Sequence, residues 1–276
     1  MGLRINTNIA SQEVQRNLRV NSAEQEVEFA RLSSGKRITK SADDAAGLAI
    51  AKKLEASTKG MKMATRNAND AISLVQVAEG GLNESTNILT RLRELSVQAA
   101  SDTVGEQERG FLNMEYQQLT QELDRIAVTT NFNGRSLLKG EGDTLDFQVG
   151  AYGGEMNQIQ FDASQTDATI ESLGVDGTSI TDKSEASSNL ERIDQAIDKV
   201  SGFRANLGAT QSRLQTAVSS LEISSVNQEA ARSRIEDTDV AASSAKLASI
   251  NIMKAAGTAV LSQANDLPAS ALKLIA

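Results

Sequence analysis

Cysteine and histidine are both absent from these 276 residues. Their absence excludes disulfides, thiolate and imidazole metal sites, cysteine nucleophiles and every Ser-His-Asp or H-E-x-x-H arrangement. It also suits a chain that crosses from a reducing cytosol to the exterior without thiol chemistry. Aromatic residues make up only 3% of the chain against 39% hydrophobic residues in all, so large rings are not there to fill a thick core. Long helices that bury narrow seams fit that mixture better. Proline occurs once, at Pro268, which leaves helices free to run. No stretch approaches the ~18 apolar residues of a membrane span, so membrane insertion is not expected. The opening MGLRINTNIASQEVQRNL has no apolar run of the secretory kind, so the chain is soluble or leaves the cell by another route. Asn6 stands where N-myristoylation needs Ser or Thr.

The net charge of −8 is unevenly spread. Residues 1–66 carry 12 Lys/Arg against 7 Asp/Glu, while residues 140–182 hold nine acids and no base, which marks the middle as a solvated region. A basic stripe with interleaved aromatics is missing, so nucleic acid is not an expected partner. Gly35-Lys36 resembles the end of a phosphate loop, but Ala30 and Arg37 stand where that loop needs Gly and Ser/Thr. Asp43-Asp44 reads as helix capping rather than acid–base chemistry. The acidic run lacks EF-hand spacing. No cofactor, metal or catalytic constellation is expected, and the chain is read as a non-enzyme.

Periodicity organises the rest. Met61, Ala64, Ala68, Ala71, Val75, Ala78, Leu82, Ser85, Leu89, Leu92, Ser96 and Ala99 alternate by three and four, the spacing of a heptad seam. Gly80-Gly81 inside it weakens helix by about 1 kcal/mol per Gly relative to Ala, so packing must hold it. A second seam runs Leu112, Tyr116, Leu119, Leu123, Ile126, and a third Leu190, Ile193, Ile197, Val200, Leu207, Leu214, Val218, Leu221. From Ala209 to Ala256 neither Gly nor Pro occurs, so that stretch is expected to form helix spanning about 70 Å. Thr103 with Glu106, Ser188 with Glu191 and Ser41 with Asp44 have the form of capping boxes. Asn83-Glu84-Ser85 fits a glycosylation sequon, but with Ser85 facing inward it is expected to stay unmodified.

Between the helical blocks, Leu145, Phe147 and Val149 alternate with polar residues, Gly153-Gly154 intervenes, and Ile159, Phe161 and Ala163 alternate again. This predicts a β-hairpin, and Asn133-Gly134 marks a turn before it. The expected fold class is mainly α, with long coiled-coil-like helices from both termini and a small β-hairpin region at about 140–185. The ends are amphipathic, with Ile5, Ile9, Leu18 and Leu32 in front and Leu247, Ile250, Ile252, Val260, Leu261, Leu272 and Ile275 behind. Lone amphipathic segments are marginal in water, so each end needs the other or another molecule. The last ten residues, LPASALKLIA, carry one charge and are expected to pack against the head of the chain and neighbouring copies.

The stretches INTNIAS, QRNL, ARLSSGKRI, SADDAAGLAIA, RNANDAISLVQVAEGGLNE, RLRELSVQAASDT and TNFNGRSLL, followed by NLGATQSRLQ, ARSRIEDTDVA and AAGTAVLSQAN, resemble bacterial flagellins in the same order. The resemblance covers roughly residues 1–140 and 185–276, leaving little room for the large outer domains many flagellins carry. It implies a filament subunit with an inner helical domain formed by residues 1–43 and 236–276 and an outer helical domain, 44–235. Inner-core packing would fall to Ile5, Ile9, Leu18, Leu32, Ile250, Val260, Leu261, Leu272 and Ile275. The implied partners are identical subunits, the flagellar cap and hook–filament junction proteins, and a cytosolic export chaperone at residues 236–276. Export would use a type III-like apparatus, without a cleaved signal peptide, and the location would be the extracellular filament. The chain departs from the family's common pattern at Val240, where an aromatic is frequent, and in Lys36 and Lys40, which charge the linker after the first helix.

The resemblance also implies sensing by Toll-like receptor 5 of animal hosts, with Arg91 and Leu95 in TRLRELSV and Glu115 on the following helix as candidate recognition residues. The alternative for Leu95 is that it flanks the heptad seam and packs against a neighbouring helix. The competing readings are a hook–filament junction protein, whose sequence differs through RNANDAISLVQVAEGG and SRIEDTDVA, and an exported membrane-active translocator, which needs an apolar hairpin that is not there.

Overall fold

A computed structural model describes residues 7–141 and 144–273, with side chains up to residue 266. Six helices carry most of the chain: α1 (Ile9–Ser34), α2 (Ala45–Ala99), α3 (Glu106–Thr129), a short α4 (Ile170–Leu173), α5 (Lys183–Glu236) and α6 (Val240–Lys273). Between α3 and α4 lie two small antiparallel hairpins, β1 (Asn131–Phe132) with β2 (Arg135–Ser136), and β3 (Thr144–Gln148) with β4 (Gln158–Asp162). The mainly α fold with a small central hairpin is the one expected. The chain forms two compact units, residues 1–56 with 227–276, and residues 57–226.

In the unit of residues 57–226, all twelve positions of the first seam, from Met61 to Ala99, are buried. Leu82, Leu89 and Leu92 have no exposed surface, and Tyr116 and Leu123 of α3 and Ile193, Val200 and Leu214 of α5 join them in one core. The two serines of the seam are satisfied locally: Ser85 Oγ donates to Gly81 O at 3.0 Å and Ser96 Oγ to Leu92 O at 2.8 Å. The α5 seam also uses Ala186, Asn189 and Ala196, all buried, which aliphatic spacing alone did not reveal. Gly81 has a packing reason, since a Cβ there would stand 2.8 Å from both Leu138 Cδ1 and Thr130 Oγ1, whereas a Cβ at Gly80 meets nothing.

The predicted hairpin is β3–β4, with Leu145 opposite Phe161 and Phe147 opposite Ile159. That register puts the four apolar side chains on one face, against the core. Asn67 Nδ2 donates to Gln148 O at 3.3 Å and Ser57 Oγ lies 3.0 Å from the Tyr152 hydroxyl, which tie the hairpin to α2. Asn133 and Gly134 are the two loop residues of the β1–β2 hairpin, at φ 51° and 79°. Positive φ at both positions is the type I′ requirement that Asn-Gly meets.

Three capping expectations are corrected. Helix α3 starts at Glu106 after Gly105, with no side-chain cap, because Thr103 is held in the preceding turn by Ser101. Ser188 lies inside α5, its hydroxyl donating to Glu185 O at 3.0 Å. Asp44, not Ser41, caps α2 by accepting from Gly47 N at 2.8 Å. Asp43 instead closes the turn before it, and the Lys40 and Thr39 donors hold its carboxyl below the ordinary range.

The continuous helix expected from Ala209 to Ala256 is also corrected. It breaks at Asp237-Thr238-Asp239, where Asp239 Oδ1 accepts from Ala241 N and Ala242 N and starts α6. The break needs neither Gly nor Pro, because a distant segment takes up the backbone groups: Arg37 N donates to Glu236 O at 2.7 Å and Thr238 N to Gly35 O at 3.0 Å.

Candidate functional site: the paired termini and the Arg91 face

In the unit of residues 1–56 and 227–276, α1 and α6 run antiparallel. Leu18 sits against Gly257, where an added Cβ would come within 2.8 Å of Leu18 Cδ2. Asn8 caps α1 through Ser11 N and donates to Ala264 O at 2.7 Å. Ser11 Oγ donates to Asn265 Oδ1 at 2.8 Å, and Gln25 Nε2 to Asn251 Oδ1 at 2.7 Å. Near the other end, Glu28 binds Arg31 and Lys246 at 3.1 and 3.2 Å. The seam is heptad-spaced on both helices, yet thin and largely polar.

Of the packing candidates, Ile250 is buried in this seam and Leu18, Leu32 and Leu261 are half-buried. Ile9 (57% exposed) and Val260 (49%) face outward. Ile5 and Ile275, and the side chains of Leu272 and the rest of the LPASALKLIA tail, lie outside what is described. Outward-facing apolar residues go well beyond the candidates: Val20, Val27 and Phe29 on α1, and Val240, Ile252 and Met253 on α6. Ile9, Val20 and Val27 are spaced by eleven and seven residues, which places them on one face of α1, about 140° from the seam, where Glu13, Arg16 and Glu24 stand between them.

On the other unit, the Arg91 guanidinium bonds Glu115 at 2.8 Å and Glu94 at 2.9 Å. Those two carboxylates, Glu115 first, hold its pKa above the ordinary value. Arg91 and Glu115 are therefore brought together at the surface, half-exposed. Leu95 is not brought to that surface. It is 1% exposed and belongs to the core with Leu92 and Ala99, the packing role that was the alternative for it. Helix α3 covers it: Arg109 Nε donates to Ala99 O at 2.9 Å and Arg91 reaches Glu115, which brings the two helices together on either side of Leu95.

Two features were missed by sequence reasoning. Tyr116 is fully buried with its hydroxyl 2.8 Å from Thr178 Oγ1, and Gln117, Asn113 and Asn189 bind the 178–180 backbone, so α3 and α5 both anchor the strand-less loop before α5. Burial raises the Tyr116 pKa above its ordinary value. A groove of about 640 Å³ between the hairpin loop and α5, lined by Met61, Tyr152, Met156 and Arg213 among others, contains no carboxylate and no acid–base pair.

Residues 5–143 match the bacterial flagellin N-terminal helical region and residues 190–275 the bacterial flagellin C-terminal helical region. The chain belongs to the flagellin family. It is 41% identical to a flagellin of Halalkalibacterium halodurans, over 98% of this chain and 99% of the relative. The flagellar filament core protein flaB2 of Brachyspira hyodysenteriae is 37% identical over 98% of this chain and 99% of its own length. Among solved structures, the crystal structure of Bacillus cereus flagellin superposes with a TM-score of 0.51 at 31% identity, covering 56% of this chain and 88% of that one. The family matches fall on both helical blocks and leave residues 144–189, with the β3–β4 hairpin, between them.

Proposed function

We infer that this chain is the structural subunit of a bacterial flagellar filament, assembling with identical copies outside the cell to serve swimming motility. The observation that carries the reading is the set of apolar side chains left exposed on two helices already paired with each other, Ile9, Val20, Val27 and Phe29 on α1 and Val240, Ile252 and Met253 on α6. Apolar side chains of this kind are covered when identical copies stack heterologously, and a heterologous contact that does not close gives an open helical polymer. Residues 1–43 with 236–276 form the inner domain in this reading, residues 44–235 the outer one, and the LPASALKLIA tail packs in the inner wall.

Seeded polymerisation, followed by electron microscopy, tests it. The intact chain elongates seeds into long filaments, Val20→Glu with Val27→Glu does not, and removal of Leu267 to Ala276 also stops growth. Failure of the intact chain to elongate any seed turns the assignment to a hook–filament junction protein. Filaments from the truncated chain keep the filament and remove the tail from its interface.

The family relationship supports further partners: the flagellar cap and junction proteins, a type III-like export route, and a cytosolic chaperone holding residues 236–276. Recognition by Toll-like receptor 5 is proposed to rest on Arg91 and Glu115, with buried Leu95 supporting α2 beneath them. Charge reversal at Arg91 (Arg91→Glu) is expected to lower receptor activation at least tenfold in a reporter cell assay while the protein keeps its helicity. Unchanged activation removes the Arg91 face from recognition.

A further inference from the structure

We propose that Met156 is an oxidation site, at which a peroxide converts the thioether to the sulfoxide ahead of the other methionines of residues 57–226 and without cost to the fold. The four methionines of that unit form a graded series: Met61 is 7% exposed, Met63 49%, Met114 59% and Met156 99%. A thioether does not titrate in this range, so exposure decides which of them an oxidant reaches first. Two members of the series, Met61 and Met156, line the same groove between the hairpin loop and α5, one buried and one free of all cover.

An apolar side chain left to itself turns away from water. Met156 is held out by a loop whose backbone is fixed on both sides of it. Residues Glu155–Asn157 form a short 3-10 turn, in which Asn157 N donates to Gly154 O at 3.0 Å and Gln158 N to Glu155 O. The turn is entered through Gly154 at φ 114°, a conformation that residues with a side chain rarely adopt. Val149 N donates to Asn157 O at 2.8 Å, and Asn157 Nδ2 to Gly153 O at 3.3 Å. From the other strand, Gln148 Nε2 donates to Gly150 O at 2.9 Å and Tyr152 O at 2.8 Å. With its neighbours tied down in this way, Met156 is presented to solvent by an ordered turn.

The reaction is a two-electron oxygen transfer. A sulfur lone pair attacks one peroxide oxygen, the S–O bond forms and the O–O bond breaks. Sulfur is oxidised to the sulfoxide, and the departing oxygen takes the proton of the transferred one and leaves as water. The product is polar and chiral where the thioether was apolar. At Met156 the new oxygen meets solvent. At Met61, the first position of the α2 seam, the same oxygen would be a buried acceptor without a partner, which is costly. The first oxidising equivalent taken up by residues 57–226 therefore falls where it does least harm, and it turns one rim of the groove from apolar to hydrogen-bond accepting. Arg213 is the one charged side chain that lines this groove.

The test uses the full-length chain with hydrogen peroxide, and peptide mass spectrometry follows each methionine with time. Met156 is expected to oxidise about twofold faster than Met63 and Met114 and about tenfold or more faster than Met61, in the order of their exposure. In concentrated urea the four rates converge. Met63 or Met114 reacting as fast as Met156 in the folded chain overturns the proposal. So does an advantage of Met156 that persists in urea, which would assign it to local sequence instead of the turn. The second half of the proposal is read on chain treated briefly, so that Met156 is oxidised and Met61 is not. Its thermal midpoint for residues 57–226 is expected to equal that of untreated chain, and Met156→Leu treated alike serves as the reference. A midpoint that falls in step with Met156 sulfoxide, and does not fall in the Leu variant, overturns the claim that the fold bears no cost. Each readout belongs to one chain, so these outcomes stand apart from filament formation.

Discussion

The two units of this chain solve the same problem, packing long helices, with opposite economies. Residues 57–226 enclose Leu82, Leu89, Leu92, Tyr116, Leu123 and Ile193 with no exposed surface. Residues 1–56 and 227–276 pair two helices through serine, asparagine, glutamine and glutamate, and leave Ile9, Phe29, Val240 and Ile252 more than half exposed. Charge follows the same division: 14 basic against 12 acidic side chains in the terminal unit, 14 against 24 in the other. Among the described residues, both buried carboxylates, Glu28 and Glu236, belong to the terminal unit. A unit that buries its apolar surface internally is complete as one chain. A unit that exposes it is completed by other molecules, and its polar seam supplies geometry more than stability.

The comparison breaks most visibly at large core residues. Leu89→Ala is expected to destabilise residues 57–226 by about 2–5 kcal/mol, whereas Leu18→Ala, half-buried and facing a glycine, costs about 1 kcal/mol or less in the dilute chain. Urea denaturation with hydrogen exchange read separately over residues 9–34 and 68–100 checks both. Equal losses would mean that the terminal pair is as tightly built as the other unit.

The paired glycines of α2 give a finer contrast within the denser unit. Gly81→Ala drives a methyl against buried Leu138 and Thr130 and is expected to destabilise by about 1–3 kcal/mol, while Gly80→Ala, with open space, stabilises by about 0.5–1 kcal/mol. Tyr116→Phe, which leaves Thr178 its bond to Val175 O, is expected to cost about 1 kcal/mol. Thermal midpoints resolve all three.

The smallest effect is electrostatic and falls on the acidic unit. Lys183 beside Asp102, Arg93 beside Asp194 and Arg125 beside Glu122 hold those carboxyls below the ordinary range. A depressed folded pKa contributes stability that is complete above the ordinary carboxylate range and is lost as pH falls through it, below about pH 4. The thermal midpoint of residues 57–226 is therefore expected to drop between pH 6 and pH 3. Asp102→Asn with Asp194→Asn should shrink that drop, only slightly, because the pairs are exposed and screened.

Much of the denser unit was legible from spacing. Twelve seam positions from Met61 to Ala99 read as a heptad and all are buried, and alternation around Gly153-Gly154 located the β3–β4 pair. Side-chain oxygens were misread more often than aliphatic residues. Thr103, Ser188 and Ser41 have capping-box spacing, but the spacing is common, and the hydroxyls bond to turns and carbonyls that the pattern does not distinguish. Asp239 carries the cap signal for α6, an acid followed by Ala241 and Ala242, inside a run that composition reads as unbroken helix.

By itself the sequence determined which residues form helix, which faces of those helices are apolar, where the hairpin turns, and which chemistries have no residues to carry them. Those properties are local: period, turn residue and composition are complete within a few turns of chain. Tertiary structure decided that Leu95 is buried while Arg91 reaches Glu115, that the helix breaks at residue 237, and that Ile9, Val20 and Phe29 of α1 stay exposed. Each depends on what arrives from elsewhere. Leu95 flanks its seam and is buried on the side where α3 is tied to α2 by Arg91–Glu115 and Arg109–Ala99 O, and the break forms where residues 35–37 satisfy backbone groups two hundred positions away.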